Sequence, residues 1–426
     1  MSIGSFFLPE RAYRWNFATM GFDLALFSLG LSFTSTSVVM PLFVRHLTSS
    51  NVALGAIPAV AAACGSIPPL FVARYTQRLH RKKPFILGWT TLERAPYLAL
   101  AILTPLLYAT NPGLLLLAFF ALTAVGYLAG GITLGAWLDL IARMLPDNWR
   151  GRFFGIFLAL GGLVSIAGGG AATTLLGHFG WPNGFALCFA VTFSCYVVSF
   201  LSLLGGREPL PPQAEVVSPT VTPTLSVRLM VLLRADRNFA RYLVANGLLT
   251  TAGVAAAFYI VAATRWFALS DAQASLYGVV LLVSTTIGNI VWGYVGDHAG
   301  HKRVVEAGAV ATGAAALLAV LASEPHWGPL GFALVFVLTG VGTSALQLAA
   351  LTIASDFASD GERPTYIGVA STARAPFAVI PPLIGGLLAD GLGYSTVFLV
   401  SVAAAAVGGA LVWRGVVEPR HQAQTG

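Results

Sequence analysis

The feature that most constrains this chain is a succession of about twelve apolar runs. Each is near the length that crosses a bilayer core as a helix. They fall at residues 16–43, 52–73, 84–108, 112–141, 153–176, 184–204, 240–263, 276–294, 304–321, 329–353, 366–388 and 395–413. None alternates with period two, which excludes a transmembrane barrel. Charge decides between a buried core and a membrane. Only 10% of the 426 residues are charged and 56% are hydrophobic. A soluble domain carries about 25% charged residues. So few charges cannot cover a water-facing surface, and the chain is expected to be an all-α integral membrane protein with the lipid bilayer as its partner.

The net charge of +7 does not point to nucleic acid. Its basic residues are scattered through short loops rather than gathered on one face. Cys64, Cys188 and Cys195 lie inside apolar runs, and no disulfide framework is implied. The short N-terminal segment ends at Arg14 with no small-residue cleavage site after it, so the first run reads as a retained span.

Lysine and arginine set the expected orientation. Twenty lie at the two ends, in the central linker or in the segments after even-numbered spans, among them Arg81, Arg150 and Lys302. The opposite side has two, Arg45 and Arg265. Both termini are therefore expected in the cytoplasm, which also favours an even number of spans. Residues 206–238 form the one clear composition shift. Pro209, Pro211, Pro212, Pro219 and Pro223 make an extended linker. Residues 225–237 then read as a short amphipathic helix at headgroup level. The expected domains are residues 1–205, this linker, and residues 239–426.

The two halves resemble each other. Arg150-Gly151-Arg152-Phe153-Phe154-Gly155 follows span 4, and Arg363-Pro364-Thr365-Tyr366-Ile367-Gly368 follows span 10. Gly169-Gly170 in span 5 matches Gly385-Gly386 in span 11. Such duplication is expected of carriers that rock two halves around a central site. Between spans 8 and 9 stands Gly293-Tyr294-Val295-Gly296-Asp297-His298-Ala299-Gly300-His301-Lys302-Arg303, which reads as a short polar hinge. Its alternative reading is a basic turn that only fixes orientation.

With its glycines, carboxylate and basic cluster between two spans, that hinge resembles the loop signature of the major facilitator superfamily. Gly293, Asp297, Gly300, Lys302 and Arg303 carry the resemblance. The first-half counterpart, residues 73–83, keeps the basic cluster but has Arg74 where the carboxylate is expected. The resemblance implies twelve helices in two pseudo-symmetric six-helix bundles. Spans 1, 4, 7 and 10 would line the cavity, spans 2, 5, 8 and 11 would flank the seam, and the rest would support from outside. It also implies secondary transport by alternating access, with the hinge loop stabilising one state. Pro382-Leu383-Ile384-Gly385-Gly386 resembles a drug-efflux signature, with close helix packing as the alternative.

Ionisable residues within spans are few and costly in hydrocarbon. Asp23, Glu93, Arg94 and Arg374 each lie roughly 12–15 Å in at 1.5 Å per residue. Asp23 is the expected coupling residue, with Arg374 as its partner; a fixed ion pair pinning span 1 is the alternative. Glu93 and Arg94 read as a structural pair, and Asp139 as a local partner of Arg143 four residues on. Candidate cavity residues are Phe27, Ser35, Tyr127, Trp137, Asn246, Tyr259 and Gln347. Lipid-facing or packed positions are the alternative for each. Scarce amides and several aromatics suit an amphiphilic or lipophilic solute better than a sugar.

Rival functions find less support. The lysines Lys82, Lys83 and Lys302 do not follow a glycine, so no phosphate-binding loop of an ATP-driven pump is present. No HExxH or paired catalytic carboxylate motif marks an enzyme. No metal or cofactor is expected, and the chain is expected to act as a monomer. A small-molecule substrate is expected, with a proton or another ion as coupling partner. An uptake carrier for a polar metabolite and a non-transporting sensor on the same fold stay open.

The orientation has a direct test. Cysteines placed at Arg81, Arg150 or Lys302 should resist an impermeant thiol reagent in intact cells, while one at Asn111 should react. Labelling at Lys302 from outside would overturn the twelve-span topology.

Overall fold

Helix starts follow local chemistry. The side chain of Asn111 accepts from the Leu114 amide (3.0 Å) ahead of Pro112, and Asp236 accepts from the Phe239 amide (2.9 Å). Ser270 and Gln273 cap each other across one turn. Each uses an amide that a helix start leaves without an intrahelical partner.

The computed structural model describes residues 10–209, 236–322, 328–357 and 363–418. Their helices are α1 (Glu10–Ser32), α2 (Val39–Leu47), α3 (Asn51–Ser66), α4 (Pro68–Gln77), α5 (Lys83–Leu107), α6 (Pro112–Met144), α7 (Asp147–Phe179) and α8 (Asn183–Gly205). There follow α9 (Arg237–Ala252), α10 (Ala256–Phe267), α11 (Asp271–Ala299), α12 (His301–Leu321), α13 (Gly328–Asp356), α14 (Arg363–Leu392) and α15 (Tyr394–Gly415). They supply all twelve expected spans. Among the described residues, nine are long and apolar enough to cross a membrane, with α9 and α10 counted as one. The other three are α1 with α2, α3 with α4, and α5. Large apolar side chains such as Leu330, Phe71 and Val310 face outward, as a lipid-facing surface requires.

Three spans expected as single runs are broken. Span 1 is interrupted at 33–38, where Thr34, Ser35, Thr36 and Ser37 cluster. Span 2 restarts at Pro68-Pro69; a proline lacks the N–H that an interior helix position needs, but not at a first turn. Span 7 tightens into a single 3-10 turn at Gly253–Ala255. Span 11 keeps Pro376, Pro381 and Pro382 inside one continuous helix. The amphipathic helix expected over 225–237 falls outside the described residues except for Asp236 and Arg237, which open α9.

The chain divides into two compact units. One lies within Met1–Ser35 and Ala63–Thr222, the other within Thr36–Ala62 and Pro223–Gly426. In the second unit, residues 36–62 are held by polar and backbone contacts. Asp390 accepts from the backbone amide (2.9 Å) and side-chain amide (2.8 Å) of Asn51, whose Oδ1 accepts from the Tyr394 hydroxyl (2.7 Å). His46 meets Asp271 at 2.8 Å. Beneath these, α3 and α14 touch backbone to backbone. A Cβ on Gly55 would lie 2.0 Å from the Pro382 carbonyl oxygen, and one on Gly386 would lie 2.5 Å from the Val52 Cα. Gly386 thus serves close packing.

The duplication extends to hydrogen bonds. In the first unit the Asn16 side chain donates to the Arg207 carbonyl (3.0 Å) and accepts from the Arg207 amide (2.8 Å). In the second, Asn238 donates to the Val417 carbonyl (3.0 Å) and accepts from the Val417 amide (2.9 Å). The next residue in each case is a carboxylate at a helix start. Glu208 accepts from the Lys82 and Lys83 amides (2.8 and 3.1 Å) ahead of α5, and Glu418 accepts from the Lys302 amide (3.1 Å) at the start of α12. The lysines reach back, Lys83 Nζ to Leu204 and Lys302 Nζ to Trp413 carbonyls. Negative charge at a helix N-terminus is favourable.

The hinge is shorter than its pattern suggests. Helix α11 continues through Asp297 to Ala299 and α12 begins at His301, so Gly300 alone separates them. Its φ is +87°, where side-chain-bearing residues are strained, and a Cβ there would lie 2.6 Å from Glu418 Oε2. Gly300→Ala should therefore cost about 1–3 kcal/mol and lower the melting temperature. Gly293→Ala, in the same segment but with open space around it, should not. An equal response of the two variants would sink this account of the turn.

Candidate functional site

Two cavities, one in each unit, carry most of the candidate residues. The first, about 170 Å³, is lined by Asp23, Phe27, Glu93, Arg94 and Trp137. Asp23 is buried at 5% exposure on α1. It accepts from the Ser199 hydroxyl (2.6 Å) on α8 and from the Trp137 indole (3.0 Å) on α6. Arg94 on α5 lies 3.9 Å from Asp23 Oδ1 and 3.8 Å from Glu93 Oε2. Its guanidinium also donates to Ser199 Oγ (3.1 Å) and to the Tyr196 and Thr90 carbonyls (2.7 and 2.9 Å). Four helices are tied through these groups.

The cation beside Asp23 is thus Arg94, one turn or less from Glu93, and not Arg374 as expected. The Glu93–Arg94 pair is present, but it is half of a three-member cluster. Two carboxylates share one guanidinium. Asp23 holds two strong hydrogen bonds. Glu93 makes no hydrogen bond through its side chain with a described residue. Phe27 stacks on Tyr196 (4.6 Å, 6°) while lining the same cavity. Spans 3 and 6, expected only as outer supports, contribute Glu93, Arg94 and Ser199. Serines are common in these runs, and nothing local singled out Ser199.

The second cavity, about 320 Å³, is lined by Asn246, Tyr259, Thr343, Gln347, Arg374 and apolar side chains such as Phe377. Three expected cavity residues, Asn246, Tyr259 and Gln347, meet here, together with Arg374. The breaks in spans 1 and 7 reach it through Thr36 and Gly253. Thr312 on α12 also lines it, so span 9 is more than an outer support. Ser35 and Tyr127 line neither cavity.

At the start of α5, Asp139 takes Arg143 at 3.4 Å as expected, and Lys82 as a second partner. Burial lowers the Lys82 pKa from the ordinary lysine value; Arg143 adds to this and Glu208 opposes it. The Arg74 side chain lies outside the described residues. In the hinge, Asp297 and Arg303 are exposed, and Lys302 lies 3.6 Å from Glu306. No group of His, Cys, Asp or Glu among the described residues is arranged to hold a metal.

Removing one member of a buried ion pair costs about 3–5 kcal/mol, because the other charge is stranded. Asp23→Ala should therefore lower thermal stability markedly. Asp23→Asn, which keeps an acceptor for Trp137 and Ser199, should lower it less. Identical, small losses would show that this network does not hold the helices.

Comparison with known proteins agrees with the architecture. The family model described as Major Facilitator Superfamily matches residues 22–267 and 248–426. An uncharacterized protein of Mycobacterium tuberculosis, Rv2209, is 24% identical over 379 residues, covering 85% of this chain and 69% of that protein. The methyl viologen resistance protein SmvA of Salmonella typhimurium is 27% identical over 151 residues, only 35% of this chain and 30% of its own. Among solved structures, a variant of the nucleoside transporter NupG superposes with a TM-score of 0.76 at 15% identity, over 93% of this chain and 98% of that one. A D-xylose-proton symporter gives 0.63 at 15% identity, over 96% and 98%. Identities this low speak for the fold alone; the family match spans the chain, which therefore belongs to the major facilitator superfamily, a family of membrane transporters and not of enzymes.

Proposed function

We propose that this protein is a secondary active carrier that moves a small amphiphilic solute across the cytoplasmic membrane by alternating access. Its halves, residues 1–205 and 239–426, would rock about the linker 206–238, with both termini in the cytoplasm. The observation that carries the reading is a cavity of about 320 Å³ with a mixed lining of aromatic, aliphatic and a few polar groups. Sites for small molecules have this make-up. Asp297, on the last turn of α11, is proposed to stabilise one of the two states. Export has limited support from the partial similarity to SmvA.

Proton coupling is assigned to the first unit. Asp23, Glu93 and Arg94 together carry one negative charge more than positive when both acids are ionised. An uncompensated charge at membrane depth is costly. A proton on either acid removes it. Glu93 makes none of the hydroxyl and indole hydrogen bonds that Asp23 makes, and it is the acid proposed as the proton carrier. A proton drives transport only if its affinity differs between states.

Proteoliposomes separate the readings. The wild type should accumulate solute against a gradient when a pH difference is imposed. Glu93→Gln should lose that accumulation and keep solute exchange at equal pH. Accumulation surviving in Glu93→Gln would remove this residue from coupling, and no flux in any condition would favour a non-transporting sensor.

A further inference from the structure

Arg374 is placed differently from Arg94, and is half-buried where Arg94 is buried. Arg94 lies between two carboxylates and makes three hydrogen bonds. Arg374, on α14, lines the second-unit cavity, whose lining contains no Asp or Glu. Among the described residues it has no ion pair and no hydrogen bond; the titratable group that interacts with it is the Tyr242 phenol. Two further polar side chains on that lining, the amides of Asn246 and Gln347, also make no hydrogen bond with a described residue. Three unused polar groups from three helices, α9, α13 and α14, thus meet one small cavity.

Arg374 and Asn246 are half-buried and Gln347 is exposed, so their donors are open to a ligand. A lone cation at membrane depth is expensive, and that cost falls if an anion enters. A guanidinium presents a planar fork of donors that matches a carboxylate in two parallel bonds. The amides can donate to the same oxygens. Leu249, Val254, Leu346 and Phe377 offer apolar surface beside them.

We propose that this cavity binds a small organic anion, with its carboxylate or similar group on Arg374, Asn246 and Gln347 and its apolar body on the aliphatic and aromatic side chains. This rests on the carrier reading and narrows its substrate class. A volume of about 320 Å³ is too small for a whole two-chain lipid, and the proposed occupant is a free solute, with a lipid headgroup as an outcome of the test. Cations are disfavoured by the same guanidinium.

The test uses the purified full-length protein and three probes of one shape: 2-naphthoate, 2-naphthamide and a naphthyl trimethylammonium salt. Binding is read by thermal shift and tryptophan fluorescence. Naphthoate should bind best to the wild type, the amide at least about tenfold more weakly, as loss of one charge-assisted pair implies. Arg374→Gln should erase that preference, and Arg374→Lys should keep part of it. Should Arg374→Gln not fold, Arg374→Lys and the ranking of probes on the wild type still decide. No binding of naphthoate, equal binding of the amide, a preference for the ammonium compound, or displacement of naphthoate by phosphatidylglycerol would each overturn the proposal. Counterflow of the same probes in proteoliposomes keeps the two readings apart. Naphthoate that binds through Arg374 without flux would remove the carrier reading alone. Flux of the amide or ammonium compound independent of Arg374 would remove the anion site alone.

Discussion

A carboxylate from a distant part of the chain is set against the free amides of a helix start at three places among the described residues. Glu208 takes the amides opening α5, Glu418 the Lys302 amide in the first turn of α12, and Asp390 those opening α3. A helix start leaves several amides without intrahelical partners. In a chain with so few charges, each such acid is a large share of the total. Two of the three sit on the residue after a reciprocal asparagine clamp, Asn16 with Arg207 and Asn238 with Val417. The ends of each six-helix set are thereby tied in the same way. Span 3 leans on the segment after span 6, and span 9 on the segment after span 12. The rest of each unit, with its cavity, is built on helices fixed at that end.

The sequence displayed the number of spans and the two-fold repeat, because apolar length and short motifs are properties of single segments. The resemblance to a transporter family was carried by one loop and is supported across the chain. What escaped was pairing between segments. The clamp does have a trace: Asn-Phe-Ala stands at 16–18 and again at 238–240, and Glu-Pro at 208–209 and again at 418–419. A search for repeats restricted to glycine-rich and arginine-rich stretches passes over both. The broken helices escaped for another reason. Hydropathy is blind to a local change in backbone direction, and the Ser/Thr cluster at 34–37 is as apolar-flanked as any continuous span. The polar hinge likewise looked long because its residues are polar, whereas the backbone stays helical through Asp297 and turns only at the glycine with positive φ.

The charged cluster around Arg94 illustrates what depth alone cannot decide. Asp23, Glu93, Arg94 and Arg374 lie at similar distances along their helices, so every acid could be matched with either arginine. Neighbouring helices made the choice. Ser199 on α8 and Trp137 on α6 supply donors that place the Asp23 carboxylate beside α5. Arg94 is at the same time stacked near Phe200 and held by carbonyls of α5 and α8. A guanidinium with five donors is satisfied by such a mixed set, where a lysine would not be.

Arg94 and Arg374 then differ in what surrounds them. Every partner of Arg94 among the described residues lies within the first unit, where two carboxylates face one guanidinium. Arg374 has no such partners among the described residues of its own unit, and the proposed organic anion would supply one. Under the proposed reading, two carboxylates against one guanidinium suit a proton, and a guanidinium facing a cavity lining without Asp or Glu suits an anion. A charge without a partner is expensive in this environment, so the two units would take mobile partners of opposite sign.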